Sequence, residues 1–474
     1  MDNECKEGVR AWVEEAGYRP GRAVLRGAGL RAEPGETLIV VGRSGSGKTT
    51  LFLSFTGVIV NLLGGYLRGY SRICGVNPLP PEGFRQVPAL LGVVLQDPDK
   101  QLSLLTPLEE VLFVLENLGV PEEEARRRAK KALERFGLAG KALEDSARLS
   151  GGEKRRLTLA AALVHDPPVL LLDEPTASLD PWGVAEVRRL VREEAKRGRV
   201  VLVIEHKARY FLDLADRVVA LSGGRSVGEW GRPAPREELA RLGADVHEPL
   251  VRPVEPGGGP VILRAQGLEA GYEEHPLLSV ESLEVRAGDV LAIAGPNGSG
   301  KTTLLKTLAG IIEPVSGEVW VREGYRPFYV PQLPDYMFMM RTVRAELEYS
   351  AGRGLGPGAL EQVLRQGWLR EALDRPPYTL SHGQRRWLTL EIARLHGARL
   401  LLLDEPSTGL DVGLYGELCH RLWEWAGRGA VIVSTHDPRI VGECSSRAAM
   451  VMDGRLVEAG REKVVRLMEV AWRA

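Results

Sequence analysis

The stretch Gly42-Arg43-Ser44-Gly45-Ser46-Gly47-Lys48-Thr49 recurs in the second half of the chain as Gly295-Pro296-Asn297-Gly298-Ser299-Gly300-Lys301-Thr302. Both copies follow a short apolar run and precede a stretch of helical character. A glycine-rich turn between a strand and a helix lets consecutive backbone N–H groups surround phosphate oxygens at the helix N-terminus. The sequence therefore predicts two phosphate-binding loops, one in each half.

Each loop carries the residue types that a bound nucleotide requires. A lysine at this spacing reaches the β- and γ-phosphates, and the threonine after it ligates magnesium. We expect the nucleotide to contact two matching sets of residues. They are Gly42, Ser44, Gly45, Ser46, Gly47, Lys48, Thr49 and Thr50 in the first loop, and Gly295, Asn297, Gly298, Ser299, Gly300, Lys301, Thr302 and Thr303 in the second.

The repeat extends well beyond the two loops. The motif LLLDEP ends at Pro175 and again at Pro406, and LSGGEKRR from Leu149 returns as LSHGQRRW from Leu380. This self-similarity indicates two homologous modules in tandem. We expect one domain at 1–246 and another at 261–474, joined by a Pro- and Gly-rich linker at 247–260.

Short apolar runs rich in β-branched residues alternate with helical stretches in both halves. Such alternation is typical of a mostly parallel sheet covered by helices on both faces, so the sequence predicts an α/β fold. The predicted strands are Thr37 to Val41, Val169 to Leu172, Val200 to Ile204 and Val218 to Leu221, then Val290 to Ala294, Leu400 to Leu403, Ala430 to Ser434 and Ala448 to Met452.

Two of these apolar runs lead into a pair of acids, Asp173-Glu174 and Asp404-Glu405. An aspartate at a strand end beside a phosphate loop suits a magnesium site. The adjacent glutamate is placed to accept a proton from an attacking water molecule. The expected roles are magnesium binding for Asp173, Asp404, Thr49 and Thr302, and catalysis for Glu174 and Glu405.

The motif LSGGE, between the phosphate loop and LLLDEP, resembles the signature of ATP-binding-cassette (ABC) ATPases, and the resemblance covers nearly the whole chain, twice. It implies two P-loop NTPase domains in tandem, each with a mostly parallel sheet core, an antiparallel β part and a helical subdomain. It also implies ATP and Mg²⁺ as cofactors. In this family two cassettes close head to tail, so that each ATP lies between one phosphate loop and the other cassette's signature.

The resemblance assigns further residues to the two sites. Gln96 and Gln332 match the glutamines that sense magnesium and water, and they also count as magnesium ligands. His206 and His436 match the histidines that contact the γ-phosphate, and Tyr18 and Tyr272 match the tyrosines that stack on adenine. Asp180 and Asp411 match the D-loop aspartates, and the signature residues that complete the phosphate shell are Ser150, Gly151, Gly152, Ser381 and Gly383.

The two sites implied by the resemblance differ at one position. In the second signature, His382 replaces the first glycine of the family pattern, whereas Ser381 and Gly383 remain. We therefore expect the site that includes this signature to be modified but active.

A local motif indicates which group of ABC ATPases the chain resembles. LQDPDKQL, from Leu95 to Leu102, resembles the glutamine loop of energy-coupling-factor importers, in which QxPDxQ is characteristic. That resemblance implies a peripheral ATPase on the cytoplasmic face of the cell membrane. Its partners would be a transmembrane coupling subunit and a small substrate-binding membrane subunit, which take up a vitamin, a vitamin precursor or a metal ion. The run Tyr336 to Met340 is either a contact with the coupling subunit or part of the helical subdomain's own core.

Two other functions stay open: a soluble tandem ABC ATPase acting on ribosomes or nucleic acid, and a sugar-importer double ATPase. A protein that binds a polyanion through its overall charge carries an excess of basic residues, whereas the formal net charge of this chain is -1. We therefore expect no nucleic acid partner. No apolar stretch is long enough to cross a bilayer. The cysteines lack metal spacing, which predicts plain thiols in a reducing compartment.

Overall fold

The structure is a computed structural model. It describes residues 5–43, 45–177, 179–273, 275–365, 367–408, 410 and 412–473, without the side chains of His382, Val412 and Gly413. Two residues with an expected role, Ser44 and Asp411, lie outside the described residues.

The chain forms two compact units. The first consists of Met1–Ala177 with Gly183–Glu248, and the second of Ser178–Trp182 with Pro249–Ala474. Each unit combines helices with parallel and antiparallel strand pairs, so both are α/β folds. The segment 247–260, predicted to be a linker, contains neither helix nor strand.

The first unit has an antiparallel sheet of order β2-β1-β4 and a second sheet of order β5-β6-β7-β3-β8-β9, which is parallel except for β9. The strands are β1 (Val9–Gly17), β2 (Ala28–Ala32), β3 (Thr37–Val41), β4 (Tyr66–Ile73), β5 (Leu91–Val94), β6 (Val169–Asp173), β7 (Val200–Ile204), β8 (Arg217–Ser222) and β9 (Arg225–Gly231). Strands β3, β6 and β7 are buried along their whole length, as parallel strands covered on both faces are.

The helices of this part of the chain are α1 (Lys48–Phe55), α2 (Val58–Asn61), α3 (Pro81–Phe84), α4 (Val87–Leu90), α5 (Pro98–Gln101), α6 (Pro107–Asn117), α7 (Glu122–Arg135), α8 (Gly151–Leu163), α9 (Pro181–Lys196) and α10 (Arg236–Arg241), with 3-10 turns at Ala139–Lys141, Ser146–Arg148 and Ala208–Tyr210. Helices α6, α7 and α8 pack around their own apolar core, which includes Leu115, Leu133 and Leu157. They form the helical subdomain that the resemblance implied.

The second unit repeats the same plan in one sheet of order β13-β10-β11-β18-β17-β12-β16-β15-β14. Its strands are β10 (Val261–Tyr272), β11 (His275–Arg286), β12 (Val290–Ala294), β13 (Ser316–Val321), β14 (Pro327–Val330), β15 (Leu400–Asp404), β16 (Ala430–Thr435), β17 (Arg447–Met452) and β18 (Arg455–Ala459). The parallel run β14-β15-β16-β12-β17 matches β5-β6-β7-β3-β8 of the first unit strand for strand.

Its helices are α11 (Lys301–Leu308), α12 (Val343–Arg353), α13 (Pro357–Leu364), α14 (Gly367–Arg370), α15 (His382–Leu395), α16 (Val412–Ala426) and α17 (Arg461–Arg473), with 3-10 turns at Pro334–Met337 and Pro377–Thr379 and a π-helical turn at Ile440–Cys444. The core of this helical subdomain includes Phe338, Leu347 and Leu388. Along the described ranges, no helix is both long enough and apolar enough to cross a bilayer.

The C-terminal helix has a structural role that the sequence did not indicate. Arg461, at its start, donates hydrogen bonds to the carbonyl oxygens of Arg252 and Ser445, each at 2.8 Å. The backbone N–H of Arg252 donates in turn to the carbonyl of Gly442 at 2.9 Å. Helix α17 therefore helps to hold the segment around Arg252 against the rest of the second unit.

The cysteines are paired, which corrects the expectation of free thiols. Cys5 is bonded to Cys74 and Cys419 to Cys444, with Cα–Cα distances of 4.6 and 4.8 Å, inside the range of ordinary disulfides. The partners are 69 and 25 residues apart and meet only in the folded chain, so rules based on short spacing could not pair them.

Replacing Cys5 and Cys74 together by serine is expected to lower the free energy of unfolding of the oxidised protein by about 4 kcal/mol. The reason is that the bond closes a loop of 69 residues and so restricts the unfolded chain. Urea unfolding with and without dithiothreitol measures the effect, and under reducing conditions the variant should match the unmodified chain. Equal unfolding under oxidising conditions would contradict the prediction.

Candidate functional site

The two phosphate loops turn into their helices through glycines that no other residue replaces easily. Gly47 and Gly300 are the N-caps of α1 and α11, with φ values of 101° and 91° that L side chains rarely adopt. A Cβ at Gly47 would also lie only 2.8 Å from Cδ2 of Leu25. Both loops thus take the left-handed turn that aims backbone N–H groups at a ligand.

The loop lysines fold back across their own loops. Lys48 Nζ donates to the carbonyl oxygens of Gly42 and Arg43 at 2.9 and 3.0 Å. Lys301 makes the same two bonds in its loop, at 2.9 and 2.8 Å. Burial lowers the pKa of both ammonium groups, although the neighbouring carboxylates oppose the shift.

Two serine hydroxyls in the loops lack partners. Ser46 Oγ and Ser299 Oγ are buried and make no hydrogen bond within the described part of the chain. Buried hydroxyls are nearly always bonded, so an orphan in each of two equivalent loops indicates a missing ligand. A phosphate group would bond these hydroxyls and stabilise the buried lysine charge, so both loops fit a nucleotide.

The two catalytic glutamate candidates have strained backbones. The φ values of Glu174 and Glu405 are 45° and 44°, in a region that residues other than glycine seldom occupy. Each is fixed by the neighbouring strand, since its N–H donates to the carbonyl of Ile204 at 2.8 Å or of Ser434 at 3.1 Å. Strain retained in both copies is typical of functional positions.

In the first unit, Glu174 lies against the predicted glutamine. Gln96 Nε2 donates to Glu174 Oε2 at 2.7 Å. The Nδ1 atom of His206 is 3.8 Å from the same oxygen and 3.2 Å from Oε1 of Glu205. Burial opposes the charge of Glu174, but hydrogen bonding with His206 and the nearby charges of Lys48 and Lys207 outweigh it and lower the pKa. The carboxylate is therefore ionised and able to accept a proton.

In the second unit, Glu405 is held by the predicted histidine instead. His436 Nδ1 lies 2.9 Å from Glu405 Oε2, and Lys301 Nζ lies 3.8 Å from Oε1. The backbone N–H of His436 also donates to Oε2 at 3.1 Å. Burial again opposes ionisation, and His436 and Lys301 again outweigh it, so the pKa of Glu405 is lowered.

The residues around Asp404 fit a magnesium ion. Thr302 Oγ1 and the hydroxyl of Tyr329 donate to Asp404 Oδ2 at 2.8 and 3.1 Å, and Ser434 Oγ donates to Oδ1 at 2.5 Å. Burial and the charge of Asp404 raise the pKa of Tyr329. An adjacent carboxylate and hydroxyl offer the hard oxygen ligands that Mg²⁺ prefers.

Asp173 ends β6 in the equivalent place of the first unit. Burial and the charge of Glu174 raise its pKa to about 6, against the opposing effect of Lys48. A divalent cation beside this carboxylate would favour the charged form, so the residue also fits a metal ligand.

Both signatures lie at helix N-termini. Ser150 caps α8 and Ser381 caps α15, each through a reciprocal capping box with the residue three positions on. A Cβ at Gly151 or Gly152 would meet nothing within 4 Å, so packing inside the unit does not require glycine there, whereas at Gly383 it would lie 2.7 Å from Leu414 Cδ1. A helix N-terminus with small residues suits an approaching phosphate. The side chain of His382 lies outside the described residues.

Buried arginines, which the sequence analysis missed, join each signature helix to its glutamine loop. Arg155 of α8 donates to the carbonyl oxygens of Leu95 and Gln96 at 3.2 and 3.4 Å. Arg386 of α15 makes the equivalent bonds, to Pro331 at 3.1 Å and to Gln332 at 2.7 Å.

Ion pairs reinforce the same connection. Lys154 Nζ lies 2.5 Å from Asp99 Oδ1, and Arg385 Nη1 lies 2.6 Å from each carboxylate oxygen of Asp335. The sequence signal for these ion pairs was the repeated Pro-Asp after each glutamine, together with a basic residue after each signature.

Of the remaining predicted residues, the two tyrosines are exposed and Asp180 is buried. Tyr18 directly follows β1 and Tyr272 ends β10, and 42% and 49% of their surfaces are exposed, which leaves the rings accessible for stacking. The hydroxyl of Tyr18 lies 3.2 Å from Thr50 Oγ1. Asp180, in the segment Ser178–Trp182 of the second unit, accepts a hydrogen bond from the N–H of Asn297 at 2.5 Å.

The family model described as ABC transporter matches residues 25–177 and 278–408. A putative ABC transporter ATP-binding protein of Sulfurisphaera tokodaii is 32% identical over 97% of this chain and 98% of its own length. A putative HMP/thiamine import ATP-binding protein of Bacillus subtilis, YkoD, is 28% identical over 93% of this chain and 88% of its own length. The solved structure of an RNase-L inhibitor is similar with a TM-score of 0.66 over 97% of this chain and 93% of that chain, at 22% identity, which shows a shared fold.

The family match covers more than half of the chain and occurs once in each half. The predicted fold of two P-loop cassettes in tandem is confirmed. This chain therefore belongs to the ABC transporter ATP-binding protein family and is an ATPase with two cassettes in tandem.

Proposed function

We propose that this ATPase is the energy-supplying subunit of an importer of energy-coupling-factor type. It would bind ATP and Mg²⁺ in each cassette and drive uptake of a vitamin, a vitamin precursor or a metal ion through two kinds of membrane subunit. Those partners, a coupling subunit and a small substrate-binding subunit, would hold it on the cytoplasmic face of the membrane.

The observation that carries this proposal is the folded form of LQDPDKQL. Gln101 Nε2 donates to the carbonyl of Val93 at 2.9 Å, and Gln101 Oε1 accepts from the N–H of Leu95 at 2.9 Å. Asp97 caps helix α5 by accepting from the N–H of Asp99. The three polar residues of QxPDxQ are therefore all bonded, Gln96 to Glu174, Asp99 to Lys154 and Gln101 to the backbone of β5 and of Leu95. The resemblance to the import protein YkoD, named for HMP and thiamine, supports the same class.

The hydrolytic chemistry follows from the contacts in each cassette. The loop N–H groups and the lysine hold the phosphates in place, and Mg²⁺, when bound, neutralises charge on the phosphate oxygens. Glu174 or Glu405 accepts a proton from the attacking water at its ionised carboxylate. Gln96 orients the first carboxylate and His436 the second, so the two cassettes position the same group differently.

A candidate surface for the coupling subunit follows Gln332 in the sequence. The run Tyr336 to Met340 is split by the fold, because Phe338 is buried in the core of the helical subdomain whereas 80% of Tyr336 and 74% of Met339 are exposed. Aromatic and methionine side chains suit adaptable apolar interfaces. The partner surface that we propose therefore consists of Tyr336 and Met339.

Replacing Tyr336 and Met339 together by serine is expected to reduce retention of the membrane subunits about 30-fold, because two interface anchors at about 1 kcal/mol each contribute about 2 kcal/mol together. Affinity purification of the full chain from native membranes, with mass spectrometry of the membrane proteins, measures it. Val470→Ser, another exposed apolar residue of the second unit, serves as control. Purification with ribosomal RNA and no multi-spanning protein would overturn the importer proposal.

A further inference from the structure

The carboxylate of Asp404 is held by hydroxyl groups on three different elements. Thr302 on α11 and Tyr329 on β14 both bond Oδ2, at 2.8 and 3.1 Å, and Ser434 on β16 bonds Oδ1 at 2.5 Å. Asp404 is 3% exposed and Ser434 is fully buried, so the bond between them is shielded from water, whereas Tyr329 is partly buried and Thr302 is exposed. Both carboxylate oxygens, and hence the rotation of the group, are fixed before any ligand arrives.

The first cassette lacks two of these hydroxyls. Tyr329 pairs with Leu402, two residues before Asp404, and Val93 pairs with Leu171, two residues before Asp173, so valine stands where the second cassette has tyrosine. On the other side, Ser434 pairs with Asp404 whereas Ile204 pairs with Asp173. Valine and isoleucine offer no donor to the aspartate.

The three donors do not play equal parts once a metal binds. Thr302 is the expected magnesium ligand, so its hydroxyl oxygen must turn its lone pair towards the ion. Tyr329 and Ser434 lie on strands of the sheet and can keep their bonds to the carboxylate. They then act as outer-shell groups, and loss of such a group commonly weakens metal binding by about 10- to 100-fold.

We propose that Tyr329 is a positioning residue for Mg²⁺ in the second cassette, and that the two cassettes differ in metal affinity, the second binding Mg²⁺ more tightly. This inference rests on Asp404 and Asp173 as the magnesium aspartates and on the ATPase activity of the family. It is independent of the substrate and partners proposed above. Tyr329 contacts the aspartate that would bind the metal, so its loss should change the affinity for metal and not the affinity for nucleotide.

The test is a titration of the full chain with Mn²⁺, a paramagnetic substitute for Mg²⁺, in the presence of a non-hydrolysable ATP analogue. Electron paramagnetic resonance reports free Mn²⁺, and two classes of site are expected. Tyr329→Phe, which removes only the hydroxyl, should weaken the tighter class by about 10-fold. Binding of the analogue in EDTA should be unchanged.

Two further variants make the result specific. Tyr325→Phe, a partly buried tyrosine outside the site that stacks on Arg399, should leave both classes unchanged. Ser434→Ala removes the donor to Oδ1 and should weaken the same class as Tyr329→Phe, which keeps the proposal testable if one variant is unstable. A single class of site in the unmodified chain, or a tighter class that Tyr329→Phe leaves within twofold, would overturn the proposal. Loss of analogue binding in EDTA would instead show that Tyr329 acts on the nucleotide.

Discussion

The replacement of Glu405 by glutamine is expected to lower ATP turnover at the second cassette by about 10²- to 10⁴-fold, the usual contribution of a positioned general base. Glu405 is almost fully buried, lies 2.9 Å from His436 and 3.8 Å from Lys301, and has a lowered pKa. Glutamine keeps the size of the side chain and its contacts, so ATP binding should persist. The carboxylate that accepts the proton is the only group lost.

The same change at Glu174 tests whether the first cassette hydrolyses ATP or is silent. Glu174 is ionised and bonded to Gln96, so we expect Glu174→Gln also to reduce turnover of the full chain. Steady-state phosphate release, with nucleotide binding measured separately, provides the comparison, and Glu371→Gln on the exposed surface is the control. If Glu174→Gln left phosphate release unchanged, the first cassette would be silent and the expectation of an active modified site would be wrong.

Replacing the loop lysines by alanine is expected to abolish tight nucleotide binding, one site at a time. Lys48 and Lys301 are each about 6% exposed and reach across their loops to two carbonyl oxygens. Loss of a buried charge that bonds a phosphate costs about 2 kcal/mol or more, a factor of about 30 in Kd. Calorimetric titration should find two sites in the unmodified chain and one in each single variant.

A matched control lies one turn and a half further along the same helix. Lys306 belongs to the last turn of α11 and is more accessible than Lys301, so Lys306→Ala should keep both sites. Thermal melting of each variant shows whether the loop still folds without its lysine. Two undiminished sites in Lys301→Ala would contradict the assignment of the second loop as a nucleotide site.

The parallel strands were the most predictable part of the fold. The bounds of β3, β7 and β12 agree residue for residue with the predicted strands, because a strand buried on both faces is almost wholly apolar and these three end at a glycine or a charged residue. At β6 and β15 the strand extends one residue further and takes in the aspartate, since its backbone still pairs with the next strand.

The motifs also indicated which residues would meet near each loop, but not how they would be held. Arg155 and the Gln96 carbonyl are 59 residues apart, and Tyr329 and Asp404 are 75 residues apart. Contacts of this range follow from strand register and helix packing, which no short motif records. The split of Tyr336 to Met340 was equally hidden, because a 3-10 turn followed by an extended residue has neither the period of a helix nor that of a strand.

The buried arginines join the glutamine loop to the signature helix in each cassette. Arg155 and Arg386 are each the fifth residue of their signature helix, and their guanidinium groups are bonded to carbonyls of the glutamine loops, with an ion pair beside each. Several charge-assisted bonds would have to break before loop and helix could separate. The glutamine loop and the signature helix are therefore joined by several bonds in each cassette, and we expect them to move together as one piece.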